Sequence, residues 1–171
     1  MNIFLTSDNP RACAQALDDK RVVKMALETA QLLSGAIRLT MPAHADGVYR
    51  LSHKNHPCAK WTRESLHNFL WLYDHGIALC EEYSHRFERR HKSQDVIQLC
   101  YEHLPVFGAC LDDIPLAFTF NSSGWIVGDV FHSYRLCMIH KWLSLDTIKP
   151  RWTHRDRPSW YSSIKQEYEA I

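Results

Sequence analysis

Apolar residues recur at three- and four-residue intervals along much of this chain, the spacing of helices with one buried face. The first segment, "DNPRACAQAL", offers Asp8 or Asn9 as an N-cap and Pro10 at the first helical position, where its missing N–H costs nothing. From Asp19 the apolar stripe Val22, Val23, Ala26, Ala30, Leu33 and Ile37 predicts a long helix that Gly35 and Pro42 bring to a close. After a loop through residues 40–56, Pro57 opens a predicted helix reaching about Phe87, with Trp61, Leu66, Phe69, Leu70, Tyr73, Ile77 and Cys80 on its buried face. Ser93 should cap a short helix ending before Pro105, and Asp129 a final long one, "VFHSYRLCMIHKWLSL". Between them, residues 105–127 carry prolines, a strand-leaning "LAFTF" and Asn-Ser-Ser-Gly, and read as irregular. The tail from Lys149 reads as extended and proline-punctuated.

The repeated strand–helix units of a parallel sheet are absent, so the expected fold is all-α: a compact helical bundle with an irregular central segment and an extended C-terminal tail. With 171 residues, 46% of them hydrophobic, and no linker or repeat, one globular domain over residues 1–171 is expected. No apolar run approaches bilayer length and no secretory leader is legible, so a cytoplasmic protein with no membrane partner is expected, monomer favoured. Cysteines 13, 58, 80, 100, 110 and 137 form no C-x-x-C pair and read as reduced, core-filling thiols.

The formal net charge of +1 gives no global pull on polyanions, but the charge is clustered. Arg86, Arg89, Arg90, His91 and Lys92 form one basic group; Lys149, Arg151, His154, Arg155 and Arg157 form another, beside Trp152, Trp160 and Tyr161. Cations next to stacking platforms suit distorted or single-stranded nucleic acid, and tryptophans pinning a tail to the core would look the same.

Candidate chemistry begins on the helix from Asp19, where Lys20, Lys24, Glu28 and Gln31 share a face opposite the apolar stripe. A carboxylate flanked by lysines can do acid–base or cation-stabilising work, and a lysine near another cation can act as a nucleophile; an exposed ion pair would show the same spacing. Asp18 and Asp19 read as capping residues. In "LSHKNHPCAKW", His53, His56 and Cys58 have zinc-binding elements without a zinc-site spacing, so no metal and no cofactor is expected. The start of the Pro57 helix, ringed by His53, Lys54, Asn55, His56 and Lys60, suits a backbone phosphate, with a simple helix cap as the bland alternative. Arg63 and Arg135 are further candidate contacts.

These stretches, "YRLSHKNHPCAKW" at 49–61, the helix into "CEEYSHRF" at 80–87 and "RPSWYSSI" at 157–164, resemble the pyrimidine-dimer DNA glycosylases of the phage endonuclease V type. "DKRVVKMALETAQLLSGA" and "HKNHPCAKW" also resemble hallmarks of a phage and bacterial family without an assigned activity. The resemblance implies excision of a damaged or modified pyrimidine from DNA, in which an N-terminal amine attacks the sugar and a carboxylate stabilises the cationic transition state. Carried onto this chain, Glu28 is the matching carboxylate and Asp19 its rival, about half a turn away round the helix. Asn2 departs from the small residue those enzymes expose, and favours retention of Met1. The nucleophile therefore stays open among the N-terminal amine, Lys24 and a water activated by Glu28. DNA is the implied partner, with phosphate contacts expected from Lys20, Lys54, Lys60, Arg63, Arg89, Arg90 and Lys92, and wedging or stacking from Trp160 or Tyr161. Two other readings fit the same residues: a base- or nucleotide-modifying transferase, and a non-catalytic nucleic-acid-binding protein.

Overall fold

The computed structural model describes residues 2–108, 116, 118, 128–145 and 149–170. The element order is α1 (Pro10–Ala16), α2 (Asp19–Thr40), a 3₁₀ turn (Pro42–His44), α3 (Pro57–Thr62), α4 (Leu66–Phe87), α5 (Gln94–Glu102), α6 (Leu104–Gly108), α7 (Val130–His140) running into a π-helical turn (Lys141–Leu145), and α8 (Tyr161–Glu169). The fold is all-α, with no strand among the described residues. No helix among them is long and apolar enough to cross a membrane.

Local chemistry starts the helices where the sequence says it should, and in three places it cuts them differently. Asn9 Oδ1 accepts from Ala12 N at 3.0 Å and caps α1. Asp129 Oδ1 caps α7 through His132 N at 2.9 Å. The single helix expected from Pro57 to Phe87 is two: Ser65 leaves helical backbone, its buried hydroxyl accepts from Asn68 N at 3.1 Å to start α4, and Asn68 Nδ2 donates to Trp61 O across the break. Pro105 does not stop the chain from turning, because α6 contains it near its first turn, where the lost N–H is tolerated. The extended tail holds only to residue 160, after which α8 packs on α7. Ser93 precedes α5 without a side-chain capping bond; its own N–H donates to His91 Nδ1. "LAFTF" and Cys110 lie outside the described residues, apart from Leu116 and Phe118.

α2 and α4, each 22 residues long, form the spine and pack on one another, with α1 across α4 and α5 against both. Val22, Ala26, Ala30, Leu33 and Ile37 are buried as expected, whereas Val23 is 42% exposed and lies outside the stripe. Gly35 sits inside α2, where an added Cβ would meet Leu51 Cδ1 at an ordinary contact distance of 3.6 Å; it does not end the helix. Trp71 Nε1 donates to Asp8 O and His75 Nδ1 lies 3.0 Å from Pro10 O, fixing α1 on α4. The five described cysteines are free and buried, and burial pushes the Cys13 and Cys58 thiols up to about 11 and those of Cys80 and Cys100 to about 12.

The tail is fastened by a buried polar network. Arg86, whose side chain is fully buried, donates to Glu82 Oε1 at 2.7 Å, to Asp19 Oδ1 at 3.0 Å and to Gln15 O at 3.1 Å. Asp19 accepts in addition from Thr153 N at 3.0 Å and Thr153 Oγ1 at 2.7 Å, and Arg155 donates to Glu82. Trp152 Nε1 donates to Ala16 O, and its ring joins Trp142, Trp160 and Tyr161 in one aromatic cluster.

Candidate active site

Residues 2–6 lie against α2 and α7 and bring the start of the chain to Glu28. The main-chain N–H of Asn2 donates to Glu28 Oε2 at 3.0 Å, while Lys24 Nζ stands 3.4 Å from Oε1. Glu28 is 9% exposed and Lys24 64% exposed around its side chain, so the polar face of α2 descends from water into a recess and is not a uniformly solvated stripe. That recess is a cleft of about 290 Å³ lined by Asn2, Phe4, Lys20, Arg21, Lys24, Met25, Glu28 and Lys141.

Asn2 also ties the cleft to the turn before Pro57. Its Oδ1 accepts from Ile3 N at 2.8 Å and takes a contact from the Cys58 thiol at 3.8 Å. His56 caps α3, with Nδ1 accepting from Cys58 N at 3.2 Å, so the ring proton of the neutral form sits on Nε2. Burial and the neighbouring His53 hold His56 below its ordinary value of 6.5, and the Glu28 carboxylate pulls the other way. The acid of α2 and the start of α3 are thus linked through Asn2, while none of His53, Lys54, Asn55 and His56 lines the Glu28 cleft.

The phosphate grip read from the sequence changes character here. α3 has only six residues, and the Cys58 amide at its start is taken by His56, so a helix-dipole anion site is not what the turn offers. What remains are the exposed side chains of His53, Lys54, Asn55 and Lys60, with His53 held in left-handed backbone at φ 51°. Arg63 is half-buried and turned back on Ala59 O at 2.8 Å.

Other expected site residues are dispersed. Asp19 is absent from the lining of the Glu28 cleft, and both its oxygens are engaged by Arg86 and Thr153. Arg86 belongs to the core, not to a basic surface, and Arg90 pairs with Asp95 at 2.5 Å. Arg89 and Lys92 are exposed; Arg89 borders an apolar notch with Val23, Tyr83 and Phe87, and Val23 and Glu28 are about 140° apart around α2. Trp160 and Tyr161 are half-buried on Trp142, with the Arg135 guanidinium 5.9 Å from the Trp160 ring and that of Arg157 5.3 Å from Tyr161. Arg135 Nε donates to Thr6 O at 3.0 Å. Arg135, Arg155, Arg157 and Trp160 wall a second, larger cleft of about 730 Å³ that Thr6 and Ser7 also line.

Sequence reasoning left Asn2, Arg21 and Lys141 out of the site. Lys141 carried no local signal, since it lies 113 positions from Glu28 and only the packing of α7 brings it near. Asn2 had one: a polar residue followed by Ile3, Phe4 and Leu5, an apolar run that is buried and fixes its position. Among the described residues no group of three or more His, Cys, Asp or Glu could hold a metal ion.

The profile of one protein family, described as pyrimidine dimer DNA glycosylase, matches residues 1–95. That stretch holds Asn2, Lys20, Lys24, Glu28 and the whole 53–56 turn, and leaves Arg135, Lys141, Trp160 and Tyr161 outside. No curated protein and no solved structure matches the chain.

Proposed function

Because this chain belongs to the pyrimidine dimer DNA glycosylase family over residues 1–95, we propose that it excises a damaged or modified pyrimidine from DNA with Glu28 as the catalytic carboxylate. The observation that carries this reading is a largely buried carboxylate in a cleft lined by Lys20, Arg21, Lys24 and Lys141, with a nitrogen donor on each oxygen.

Breaking the bond between base and sugar builds positive charge on the sugar ring, and a fixed carboxylate in a poorly hydrated recess stabilises that charge as it forms. The surrounding cations neutralise the phosphates that flank the nucleotide, so the same cleft offers opposite charges to opposite parts of one substrate. A cleft of about 290 Å³ accepts one extruded nucleotide rather than an intact base pair. The exposed Lys54, Lys60 and Arg89, together with His53 and Lys92, are the further phosphate contacts this reading offers.

The N-terminal amine and the Lys24 amine are the candidate nucleophiles for the sugar carbon. The chain's amine belongs to Met1 where Met1 is retained, one residue before the Asn2 N–H that stands 3.0 Å from Glu28, or to Asn2 where Met1 is removed; Lys24, 3.4 Å from Glu28, offers another once its ammonium has given up a proton. Either one, as a neutral amine, forms a carbon–nitrogen bond as the bond to the base breaks and then loses a proton; cleavage of the carbon–oxygen bond of the sugar ring, with a proton going to that oxygen, leaves an imine that borohydride reduces to a stable link. Incubation with duplexes bearing a pyrimidine dimer, a hydroxymethylated base or an abasic site, followed by borohydride and peptide mass spectrometry, should locate the link at the N-terminal residue or at Lys24. Abasic sites formed without any link would assign the attack to water. Glu28→Gln should cut turnover by 10³-fold or more, about 4 kcal/mol of transition-state stabilisation, with folding and DNA affinity kept. Turnover within tenfold of the unaltered protein would remove Glu28 from the chemistry.

A further inference from the structure

The Glu28 cleft is not built by the family-matched residues alone. Lys141 lines it, and Lys141 is the first residue of the π-helical turn that follows α7, outside residues 1–95. A π-helical turn departs from the regular helical path, and such departures recur at functional sites. Here the departure is pinned. The next residue, Trp142, is 3% exposed, and its indole N–H donates to Asp18 Oδ1 at 2.9 Å. The same oxygen accepts from Arg21 Nη1 at 2.8 Å, and the Arg21 guanidinium lies 5.9 Å from the Trp142 ring centroid. Asp18 precedes α2 yet makes no side-chain capping bond; its carboxylate is given over to this latch.

We propose that Lys141 is a phosphate-binding residue of the Glu28 cleft, held there by the Trp142–Asp18 hydrogen bond. Of the four cations lining the cleft, Arg21 is drawn to Asp18, Lys24 to Glu28 and Lys20 is engaged as well, whereas Lys141 has no ion pair among the described residues. An anion entering beside Glu28 meets the Lys141 ammonium without first breaking a bridge. Given the reading above, that anion is a phosphodiester next to the extruded nucleotide. Trp142 and Asp18 are positioning residues: they touch no substrate and set where the ammonium stands.

The test measures affinity as a function of salt on a duplex carrying a non-cleavable abasic analogue, with KM and kcat on a cleavable one. Lys141→Ala should reduce the salt slope by about one unit, the value of one phosphate contact, and raise KM more than it lowers kcat. Lys141→Arg should restore the slope. Trp142→Phe keeps an aromatic ring in the cluster but loses the N–H, and should lower the slope as Lys141→Ala does, with thermal melting followed separately to register any loss of fold. An unchanged slope in Lys141→Ala overturns the phosphate contact; an unchanged slope in Trp142→Phe overturns the latch. If the unaltered protein binds the duplex and excises nothing, the glycosylase reading fails while a one-unit loss in Lys141→Ala upholds the contact. If it binds no DNA, both fall.

Discussion

Two buried side chains, a carboxylate and an imidazole, illustrate how one residue's surroundings set its behaviour. Glu28 was legible as part of a polar helix face with Lys24 four positions earlier, and the two are paired at 3.4 Å. Its burial was not legible, because it depends on Asn2 and Phe4 arriving from outside the helix. His75 gave no signal at all in the sequence. It is 2% exposed, stacked on Trp71 and bound to Pro10 O, and burial pushes its pKa down to about 4 against a small opposing pull from that carbonyl. A histidine kept neutral in the fold but free to protonate at an ordinary 6.5 when unfolded stabilises the protein above pH 6.5. That contribution drains away as pH falls from about 6.5 to about 4, where the folded form protonates too. The total is on the order of 3 kcal/mol. Denaturant titrations across that window should show stability falling with acid, and His75→Gln should flatten the fall; parallel curves for the two proteins would refute this account.

Helix periodicity located every α-helix from α1 to α5, and also α7, but not their seams. The break at residues 63–65 depends on Ser65 and Asn68 satisfying backbone groups that a continuous helix would have satisfied itself, and apolar spacing runs through it unchanged. α8 was missed because "RPSWYSSIKQEYEA" buries a single residue, Ile164, to the full extent; a helix held by so narrow a stripe has little pattern to read. The contact of α2 with α4 rests on Gly76, where an added Cβ would stand 2.7 Å from Thr29 Cγ2 and 3.1 Å from Ile97 Cδ1. Thr29 is β-branched and buried, so it cannot swing aside. Gly76→Ala should cost about 1–3 kcal/mol in chemical denaturation despite alanine's better helix propensity, and a gain in stability would show that the two helices separate easily. Since Thr29 adjoins Glu28, the same variant should slow excision.

Across the whole molecule, the two ends of the sequence meet at α2. Residues 2–6 cover its Glu28, and the 149–157 segment closes on its first turn through Asp19, where the Asp19 N–H also donates to Arg151 O at 2.8 Å. Arg86 is the hub, and removing it leaves the buried Glu82 with Arg155 and the partly exposed Asp19 with Thr153. Arg86→Ala should therefore destabilise the protein by about 1.5–3 kcal/mol, the range for losing charged hydrogen bonds, measured by denaturant unfolding; a loss under 1 kcal/mol would mean that Arg155 and Thr153 suffice to hold Glu82 and Asp19. Sequence alone determined the helical class, most helix starts and the shared helix face of Lys24 and Glu28, since these follow from spacing and capping within a few residues. Tertiary structure decided which acid faces a cleft, which arginines of the basic runs are core rather than surface, and that Lys141 joins Glu28. Each of those depends on contacts between residues tens of positions apart, whose geometry is set by the packing of the core and has no counterpart in local pattern.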